Sequence, residues 1–339
     1  MLIRYLVYSV ERIAYSQNLN AKRYPLNAKT FCFFAYCLLL IGFLCGCQSH
    51  HLYKDNRLMM GTYVEVISPD KNAANIVFTE IKRIENLLSK YNPDSEIAKL
   101  NEFGQLKVSQ DTFYILQKAK EFWQASNGAF DITVGPLVDL WGFTDKKYSL
   151  PKPEKIQKTL ERIGFEKIIL QAGDNVVKFK IRGMKIDLGA IAKGYAVDCA
   201  VKKLRERGIK SCLINAGGQV SCLGDKFGGP WVVGINHPRR TGIVESIQLK
   251  DQAVATSGDY EQYFIQKKKR YSHIFNPKTG YPADSGVISV TVIAPDGLTA
   301  DALTTSIFVL GKEKGLALAS KFRNITVKIM EKKNVQHRS

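Results

Sequence analysis

The chain has 339 residues, of which 45% are hydrophobic and 24% are charged, and its formal net charge is +18. A chain of this length buries a large core, as one big domain or as two closely joined ones. The basic surplus favours anionic partners such as lipid headgroups or phosphates. No cluster of Lys and Arg alternates with aromatic residues as a nucleic-acid groove requires, so we expect no nucleic-acid partner.

The first 47 residues predict an exported and tethered protein. Residues 31–46 form an apolar run that follows several basic residues, which is typical of a signal peptide and short for a membrane span. The run ends in Leu44-Cys45-Gly46-Cys47, which resembles a bacterial lipobox, so Cys47 is the expected lipidation site and mature N-terminus. The alternative is an uncleaved anchor helix. In both cases residues 48–339 form one exported domain.

Hydrophobic periodicity gives the expected elements in the first half of the chain. Thr62–Ile67 alternates as a strand, and apolar residues from Ile76 to Leu88 repeat at helical spacing. Ser95 begins a short helix, and Phe113–Phe122 is a second amphipathic helix. Residues 144–154 are polar and contain prolines, which predicts a surface connection.

The second half contains most of the expected strands. The predicted order is a helix at 156–163, a strand at 176–181, a strand ending at Asp187, a helix to about Arg207, short strands from Ser211 to Val292, and helices from near Thr299 and at 314–321. Lys267-Lys268-Lys269-Arg270 is expected at a hairpin tip. This succession predicts an α+β fold with a largely antiparallel sheet.

Residues 186–198, Ile-Asp-Leu-Gly-Ala-Ile-Ala-Lys-Gly-Tyr-Ala-Val-Asp, are the most informative segment. Asp187 and the turn at Gly189 lie just before a predicted helix, whose N-terminal N–H groups suit anionic ligands. The segment has neither the Walker pattern nor Gly-x-Gly-x-x-Gly, so neither common nucleotide loop applies. Taken alone, it is also compatible with an ordinary strand-to-helix turn.

Other motifs occur with this segment in a fixed order. They are Met60-Gly61-Thr62, Gly128-Ala129-Phe130-Asp131-Ile132-Thr133, Thr256-Ser257-Gly258-Asp259-Tyr260, His273-Ile274-Phe275-Asn276-Pro277-Lys278-Thr279-Gly280 and Asp301-Ala302-Leu303-Thr304-Thr305. Over about residues 57–330 the set closely resembles the FAD:protein FMN transferase (ApbE) family. The resemblance implies a T-fold-like architecture of two intimately joined lobes. It also implies Mg²⁺, FAD as substrate, and a redox protein as acceptor.

The expected metal site lies on the last motif. Asp301 and Thr305 are four residues apart on one predicted helix, so their oxygens share a face. A carboxylate and a hydroxyl, completed by phosphate and water oxygens, suit Mg²⁺. The alternative is that Asp301 only caps the helix or lies in its first turn. The resemblance adds the backbone carbonyl of Ala190 and a role for Thr304 or Thr305.

The expected FAD contacts combine aromatic, acidic and basic residues. The set is Met60, Tyr91, Ala129, Phe130, Asp131, Asp187, Lys193 and Ile274. Aromatic faces commonly line sites for planar heterocycles, although Tyr91 and Phe130 are also compatible with a core. Asp131 stands out because an acid at this place has no evident packing role. Lys193 is expected to reach a phosphate, with an ordinary surface lysine as the alternative.

His273 is the expected catalytic residue, a base that helps to deprotonate an acceptor hydroxyl; a structural histidine is the alternative. The implied reaction is attack by an acceptor threonine on the phosphorus of the riboflavin half of FAD, with release of AMP. Rival hypotheses are a Mg²⁺-dependent FAD pyrophosphatase and a non-catalytic FAD-binding lipoprotein. Asn276 and Gln219 depart from the family pattern, in which acids are common at these two positions. The implied location is the periplasmic side of a bacterial inner membrane.

Three cysteines follow Cys47. Cys199 lies on the apolar face of a predicted helix, which favours a buried thiol. Cys212 and Cys222 lie on neighbouring predicted strands, and the sequence leaves open whether they pair.

Overall fold

The structure is a computed structural model that describes residues 51–332. The predicted signal peptide and Cys47 lie outside the described residues. Within the described part, no helix is long and apolar enough to cross a membrane.

Runs of helices and runs of strands follow one another along the chain, in the α+β arrangement that the sequence predicts. The helices are α1 (Ala73–Leu88), α2 (Glu96–Phe103), α3 (Gln110–Ala125), α4 (Gly135–Leu140), α5 (Pro153–Leu160), α6 (Ala192–Glu206), α7 (Gly297–Leu310) and α8 (Lys312–Ala319). The strands are β1 (Tyr53–Met59), β2 (Thr62–Ser68), β3 (Gln105–Lys107), β4 (Ile168–Gln171), β5 (Val176–Phe179), β6 (Cys212–Ala216), β7 (Gln219–Leu223), β8 (Trp231–Asn236), β9 (Ile243–Leu249), β10 (Ala253–Gly258), β11 (Tyr263–Gln266), β12 (Lys269–Ser272), β13 (Val287–Ala294) and β14 (Thr326–Glu331).

A seven-stranded sheet in the order β1-β2-β6-β7-β10-β13-β14 forms the centre of the molecule. All pairings between its strands are antiparallel. A three-stranded sheet, β3-β5-β4, and the hairpins β8–β9 and β11–β12 complete the β structure of the described residues. The largely antiparallel sheet is therefore confirmed.

The helices cover one face of the large sheet. α7 packs on β10 and β13, and α6 lies against α1 and α7. Because 11 of the 14 residues of α7 are buried, this helix is a central core element with little amphipathic character. The β8–β9 hairpin covers the opposite face, where Trp231 and Ile247 pack with Leu213 and Val254. One core cluster includes Val64 of the large sheet, Phe113 of α3 and Val177 of the small sheet. The lobes are thus joined through a common core.

Local capping explains several helix ends. The side chains of Ser95 and Ser109 accept hydrogen bonds from Ala98 N and Thr112 N, so each serine satisfies a free N–H of the helix that it precedes. The predicted hairpin tip is also present, because Lys267 and Lys268 adopt left-handed conformations between β11 and β12.

The structure contains elements that the sequence did not predict, among them β3, β4, β14 and α4, and two further differences are informative. β1 was not predicted: six of its seven residues are exposed, so it has no alternation of buried and exposed positions. Asp187 does not end a strand, because the segment before it forms only an isolated parallel bridge between Val134 and Lys185. The junction before α6 is a loop.

The strand register answers the question about the two cysteines. Cys212 lies opposite Leu223, while Cys222 lies opposite Leu213. Directly opposed residues point to the same face of a sheet, and neighbouring residues along a strand point to opposite faces. Cys212 therefore faces the helices and Cys222 faces the β8–β9 hairpin, so the two thiols do not pair.

Candidate functional site

The crossing of α6 and α7 positions the predicted metal ligand. A Cβ on Gly194 would lie 2.2 Å from the carbonyl oxygen of Gly297, so glycine lets the two backbones approach this closely. Asp301 Oδ2 accepts a hydrogen bond of 3.0 Å from Gly194 N. That N–H belongs to the first turn of α6, and the residue that precedes this helix, Ile191, provides no side-chain cap. Asp301 therefore caps α6 from a neighbouring helix.

A second carboxylate makes the reciprocal contact. Asp198 of α6 accepts hydrogen bonds of 2.7 Å from Gly297 N and 2.8 Å from Leu298 N, the first two residues of α7. Burial raises the pKa of Asp198 to about 7, and Asp296 and Asp301 add to the rise, whereas the two backbone donors oppose it. Each helix thus supplies the acid that caps the other, which fixes the carboxyl group of Asp301.

Asp301 is not a first-turn acid. The residue that caps α7 is Asp296, whose side chain accepts from Thr299 N, and Asp301 follows one turn later with 5% exposure. The buried hydroxyl of Thr304 donates to the Asp301 carbonyl at 2.7 Å and accepts from Ser257 at 2.9 Å. Thr304 makes both of these bonds in the core, whereas Thr305 is partly exposed and its hydroxyl makes only a long contact of 3.4 Å with Ser257 Oγ, so Thr305 is the more accessible hydroxyl beside Asp301.

The chemistry of these donors fits Mg²⁺. Oδ2 of Asp301 is used by Gly194 N, whereas the nearest charged group to Oδ1 is the ammonium of Lys193, 3.8 Å away. Residues 51–332 contain no group of three or more His, Cys, Asp or Glu arranged for a metal ion. One carboxylate oxygen and the Thr305 hydroxyl, with the Ala190 carbonyl that the family resemblance adds, would suit a hard cation that draws its other ligands from phosphate and water.

Asp187 forms an ion pair that the sequence did not predict. Its Oδ2 lies 2.8 Å from Lys90 Nζ, and the two side chains are 19% and 11% exposed. Burial raises the pKa of Asp187, but Lys90 and the N–H of Gly189 outweigh burial and the net shift is downward. Burial lowers the pKa of Lys90 and the Asp187 charge outweighs it, so the net shift is upward. Both groups are therefore charged at neutral pH.

His273 lies close to this pair and to Lys193. Its Nδ1 is 3.2 Å from the carbonyl oxygen of Gln262. Because a carbonyl only accepts, the proton of the neutral ring must lie on Nδ1, which leaves Nε2 as the basic nitrogen. Burial lowers the pKa of His273 to about 4; Gln262 and Asp187 oppose the shift and Lys193 adds to it. At neutral pH the ring is therefore uncharged and able to accept a proton.

Lys193 connects the two halves of the site. Its ammonium lies near Asp301, and its charge acts on the pKa of His273. Lys193 Nζ also donates to the carbonyl oxygen of Gly189 at 3.2 Å. The expected base, the expected metal ligand and one mobile cation therefore share one region of the molecule.

Asp131 has a structural role that the sequence analysis did not foresee, and its predicted contact with FAD stays a prediction. Its Oδ1 accepts from Thr133 N and Thr133 Oγ1, at 2.8 and 2.6 Å, and its Oδ2 accepts from Phe165 N at 3.2 Å. Burial raises the pKa of Asp131 to about 6, and these donors oppose the rise. Asp131 also lines a cavity of about 480 Å³ together with Gly128 and Lys278, so it borders open space while it holds two turns together.

The other predicted FAD contacts fall into buried and exposed groups. The Phe130 ring is 1% exposed and packs against Phe122, so it belongs to the core and presents no face to a cleft. Ala129 and Ile274 are also buried. Tyr91, by contrast, is 65% exposed, with the ammonium of Lys90 5.0 Å from its ring centre.

Met60 adopts a positive φ of 50° at the turn between β1 and β2, and its N–H donates to Glu85 Oε1 at 2.6 Å.

Cys199 is partly exposed and not fully buried as expected, although burial still raises the pKa of its thiol to about 12.

Three residues of the site had no role in the sequence prediction: Lys90, Asp198 and Ser257. Ser257 belongs to a motif that the sequence did single out, and Asp198 closes the junction segment, so both positions were visible. Lys90 precedes Tyr91 with no motif of its own. Its role depends on a contact with a residue 97 positions later in the chain, which no local pattern predicts.

Together these features define an α+β protein in which a buried carboxylate, a lysine and a neutral histidine lie in one region. The chain matches the model of the ApbE family over residues 60–329. The chain therefore belongs to the ApbE family.

Several relatives match over most of the chain. The chain is 36% identical over 277 residues to the FAD:protein FMN transferase of Klebsiella pneumoniae, and the match covers 80% of this chain and 86% of that protein. It is 34% identical over 329 residues to the FAD:protein FMN transferase of Treponema pallidum, which covers 88% and 91%.

Solved structures agree with this assignment. The ApbE protein of Thermotoga maritima has a TM-score of 0.77 and 35% identity, and the match covers 85% of this chain and 99% of that one. The flavin transferase ApbE of Vibrio cholerae has a TM-score of 0.73 and 32% identity, and the match covers 83% and 94%.

Proposed function

We propose that this chain is an FAD:protein FMN transferase that depends on Mg²⁺ and joins FMN to a threonine of an acceptor protein. The observation that carries the proposal is the convergence of Asp301 Oδ1, Lys193 and the neutral His273 in one region of a chain that belongs to this family. The relatives named above carry the same activity in their names.

The residues of the α6–α7 crossing are suited to hold the diphosphate of FAD. Asp301, Thr305 and the Ala190 carbonyl would hold Mg²⁺, which, when bound, offsets negative charge on the diphosphate oxygens. Lys193 reaches the same place from the first turn of α6, and its mobile side chain can move from Asp301 to a phosphate oxygen. The helix N-terminus adds a favourable field for the anion.

His273 prepares the nucleophile. A threonine hydroxyl is a poor nucleophile at neutral pH and gains from a base within hydrogen-bond reach. Nε2 of His273 is free for this proton because Nδ1 is held by Gln262. As the hydroxyl oxygen attacks the phosphorus of the riboflavin half, the bond to the adenosine half breaks. AMP leaves, and FMN remains on the acceptor as a phosphoester.

The location is part of the proposal. We infer that Cys47 is lipidated and that the enzyme acts on the periplasmic side of a bacterial membrane, where a tethered transferase meets membrane-linked redox proteins. Two acyl chains give stable anchoring, whereas one chain gives only marginal binding. A Cys47→Ser variant should accumulate as a precursor that incorporates no labelled fatty acid.

Product analysis tests the proposed reaction. The protein is incubated with FAD, MgCl₂ and an acceptor, and then with the same acceptor carrying Thr→Val at its modification site. Transfer predicts an acceptor with added FMN mass, an equal amount of AMP, and neither product above background with the valine acceptor. Free FMN with AMP would instead indicate a pyrophosphatase. Unchanged FAD would indicate a binding protein.

A further inference from the structure

The two ends of the β11–β12 hairpin lie at His273, the candidate base. Gln262, which precedes β11, accepts a hydrogen bond of 3.0 Å from His273 N and also lies 3.2 Å from His273 Nδ1. His273 directly follows β12. A segment of another protein that lies along this hairpin therefore lies next to the imidazole ring of His273, the candidate base.

The inner face of the hairpin is firmly seated. The Phe264 ring stacks on Tyr271 at 5.2 Å and on Tyr148 at 5.4 Å, and Trp141 lies 5.6 Å from Tyr271. Aromatic pairs at these distances add to the stability that burial supplies. The hairpin is thus a fixed platform beside the site.

The outer face of the hairpin is apolar and basic. Ile265 is 63% exposed and Tyr263 is 37% exposed, with the guanidinium of Arg270 3.9 Å from the Tyr263 ring centre. Lys267 and Lys268 are exposed at the tip, and within residues 51–332 neither lies in an ion pair. We call these five residues the hairpin face.

The positive charge continues beside the hairpin face. Asp259 forms ion pairs with two guanidinium groups, that of Arg239 at 2.7 Å and that of Arg270 at 3.8 Å. Lys269 is balanced by Asp284, 3.4 Å away. The surface next to the candidate base therefore carries a net positive charge, which complements an acidic partner.

We propose that the hairpin face is the docking surface for the acceptor protein, and that it binds an acidic segment with an apolar side chain close to the modified threonine. This inference rests on the proposed function. The continuity with His273 favours an acceptor over a lipid surface, because only an acceptor needs to reach the base. Ile265 supplies the apolar contact, and Lys267 and Lys268 supply the attraction.

The test compares a docking variant with a matched control. The variant carries Ile265→Asp, Lys267→Glu and Lys268→Glu. The control carries Tyr53→Asp and Lys71→Glu, which make the same kinds of change at exposed positions, with one Lys→Glu change fewer. Tyr53 pairs with Ser68 at the end of β2 that lies far from Met60, and Lys71 follows just after. FAD affinity, and KM and kcat for the acceptor at saturating FAD, are measured for both.

The docking variant should raise KM for the acceptor about 10- to 100-fold, as expected for the loss of one apolar anchor and two charges. Its FAD affinity should stay within about twofold of wild type, and the control should resemble wild type. Salt should raise KM of the wild type and have little effect on the variant.

Three results would overturn the inference. The first is an unchanged KM for the acceptor in the variant. The second is an equal loss of FAD affinity, because the surface would then belong to the FAD site. The third is a variant that binds more weakly to vesicles that contain phosphatidylglycerol while its KM for the acceptor rises no more than that of the control, which would identify a membrane surface. A wild-type protein that labels no acceptor refutes the proposed function first, and the docking inference falls with it.

Discussion

Replacing Gly194 with alanine tests the helix crossing on which the site depends. The new Cβ would lie 2.2 Å from Gly297 O, 2.5 Å from Gly297 C and 2.8 Å from Leu298 Cα. Carbon atoms in contact prefer about 3.5–4.0 Å, so α6 and α7 must separate by roughly 1 Å or more. Because all three atoms belong to the backbone, no side-chain movement relieves the overlap.

The expected effects of Gly194→Ala on the free energy of unfolding have opposite signs. Alanine in a helix is favoured over glycine by about 1 kcal/mol. Overpacking costs about 1–3 kcal/mol, and loss of the hydrogen bond from Gly194 N to the Asp301 carboxylate costs about 1.5–3 kcal/mol. The costs exceed the gain, so the expected net loss of unfolding free energy is about 1.5–5 kcal/mol.

Chemical denaturation of Gly194→Ala and of the control Gly173→Ala gives the comparison. A Cβ on Gly173 would have no atom within 4 Å, and this glycine lies in an ordinary backbone region, so its variant should be unchanged or gain about 0.4–1 kcal/mol. Gly194→Ala should also need more Mg²⁺ for half-maximal transfer, since Asp301 is displaced. If Gly194→Ala is as stable as wild type with an unchanged Mg²⁺ requirement, the reasoning about the crossing is refuted.

Buried groups give three further predictions. Lys90→Met leaves Asp187 without its cation and should lower the free energy of unfolding at pH 7 by about 3–5 kcal/mol, with Lys90→Arg much milder in the same denaturation assay. The pKa of His273 is about 4 in the folded protein, whereas the usual pKa of histidine is about 6.5, so the unfolded chain binds more protons between these two pH values. The free energy of unfolding should therefore rise from pH 4 to 6.5, and His273→Gln should flatten this rise in thermal melts. Cys212 and Cys222 should be free thiols in non-reducing peptide mass spectra, and a Cys212–Cys222 disulfide peptide would contradict the strand register.

Patterns within one element predicted much of the fold. The helical spacing of α1 and the helix start at Ser95 are local signals, and the structure contains both. The same holds for Asp301 and Thr305, since two residues four apart on a helix share a face wherever the helix packs.

The sequence did not predict the contacts between segments that are far apart along the chain. The reciprocal caps join Asp198 to Gly297 and Asp301 to Gly194, about a hundred residues apart in each case. Asp198 looks like an ordinary helix-surface residue until the crossing is known, and the sequence predicted Asp301 without its contact to Gly194. β1 was missed for a related reason, because an edge strand with mostly exposed residues has no hydrophobic alternation.

Asp131 shows a local signal that was available. Its side chain accepts from the N–H of Thr133, two residues later, which is a turn that aspartate commonly makes with its own backbone. Weighing that turn would have predicted a structural role beside the binding one.

The most direct test of the account is the intact mass of an acceptor protein after incubation with FAD and this enzyme. Wild type with Mg²⁺ should convert the acceptor to a species heavier by one FMN, with the added mass on a threonine. Excess EDTA or the Asp301→Ala substitution should leave the acceptor unmodified while the enzyme stays folded by circular dichroism. Full conversion by Asp301→Ala at limiting Mg²⁺ would contradict the central role of this carboxylate, and an acceptor that wild type never modifies would contradict the transferase itself.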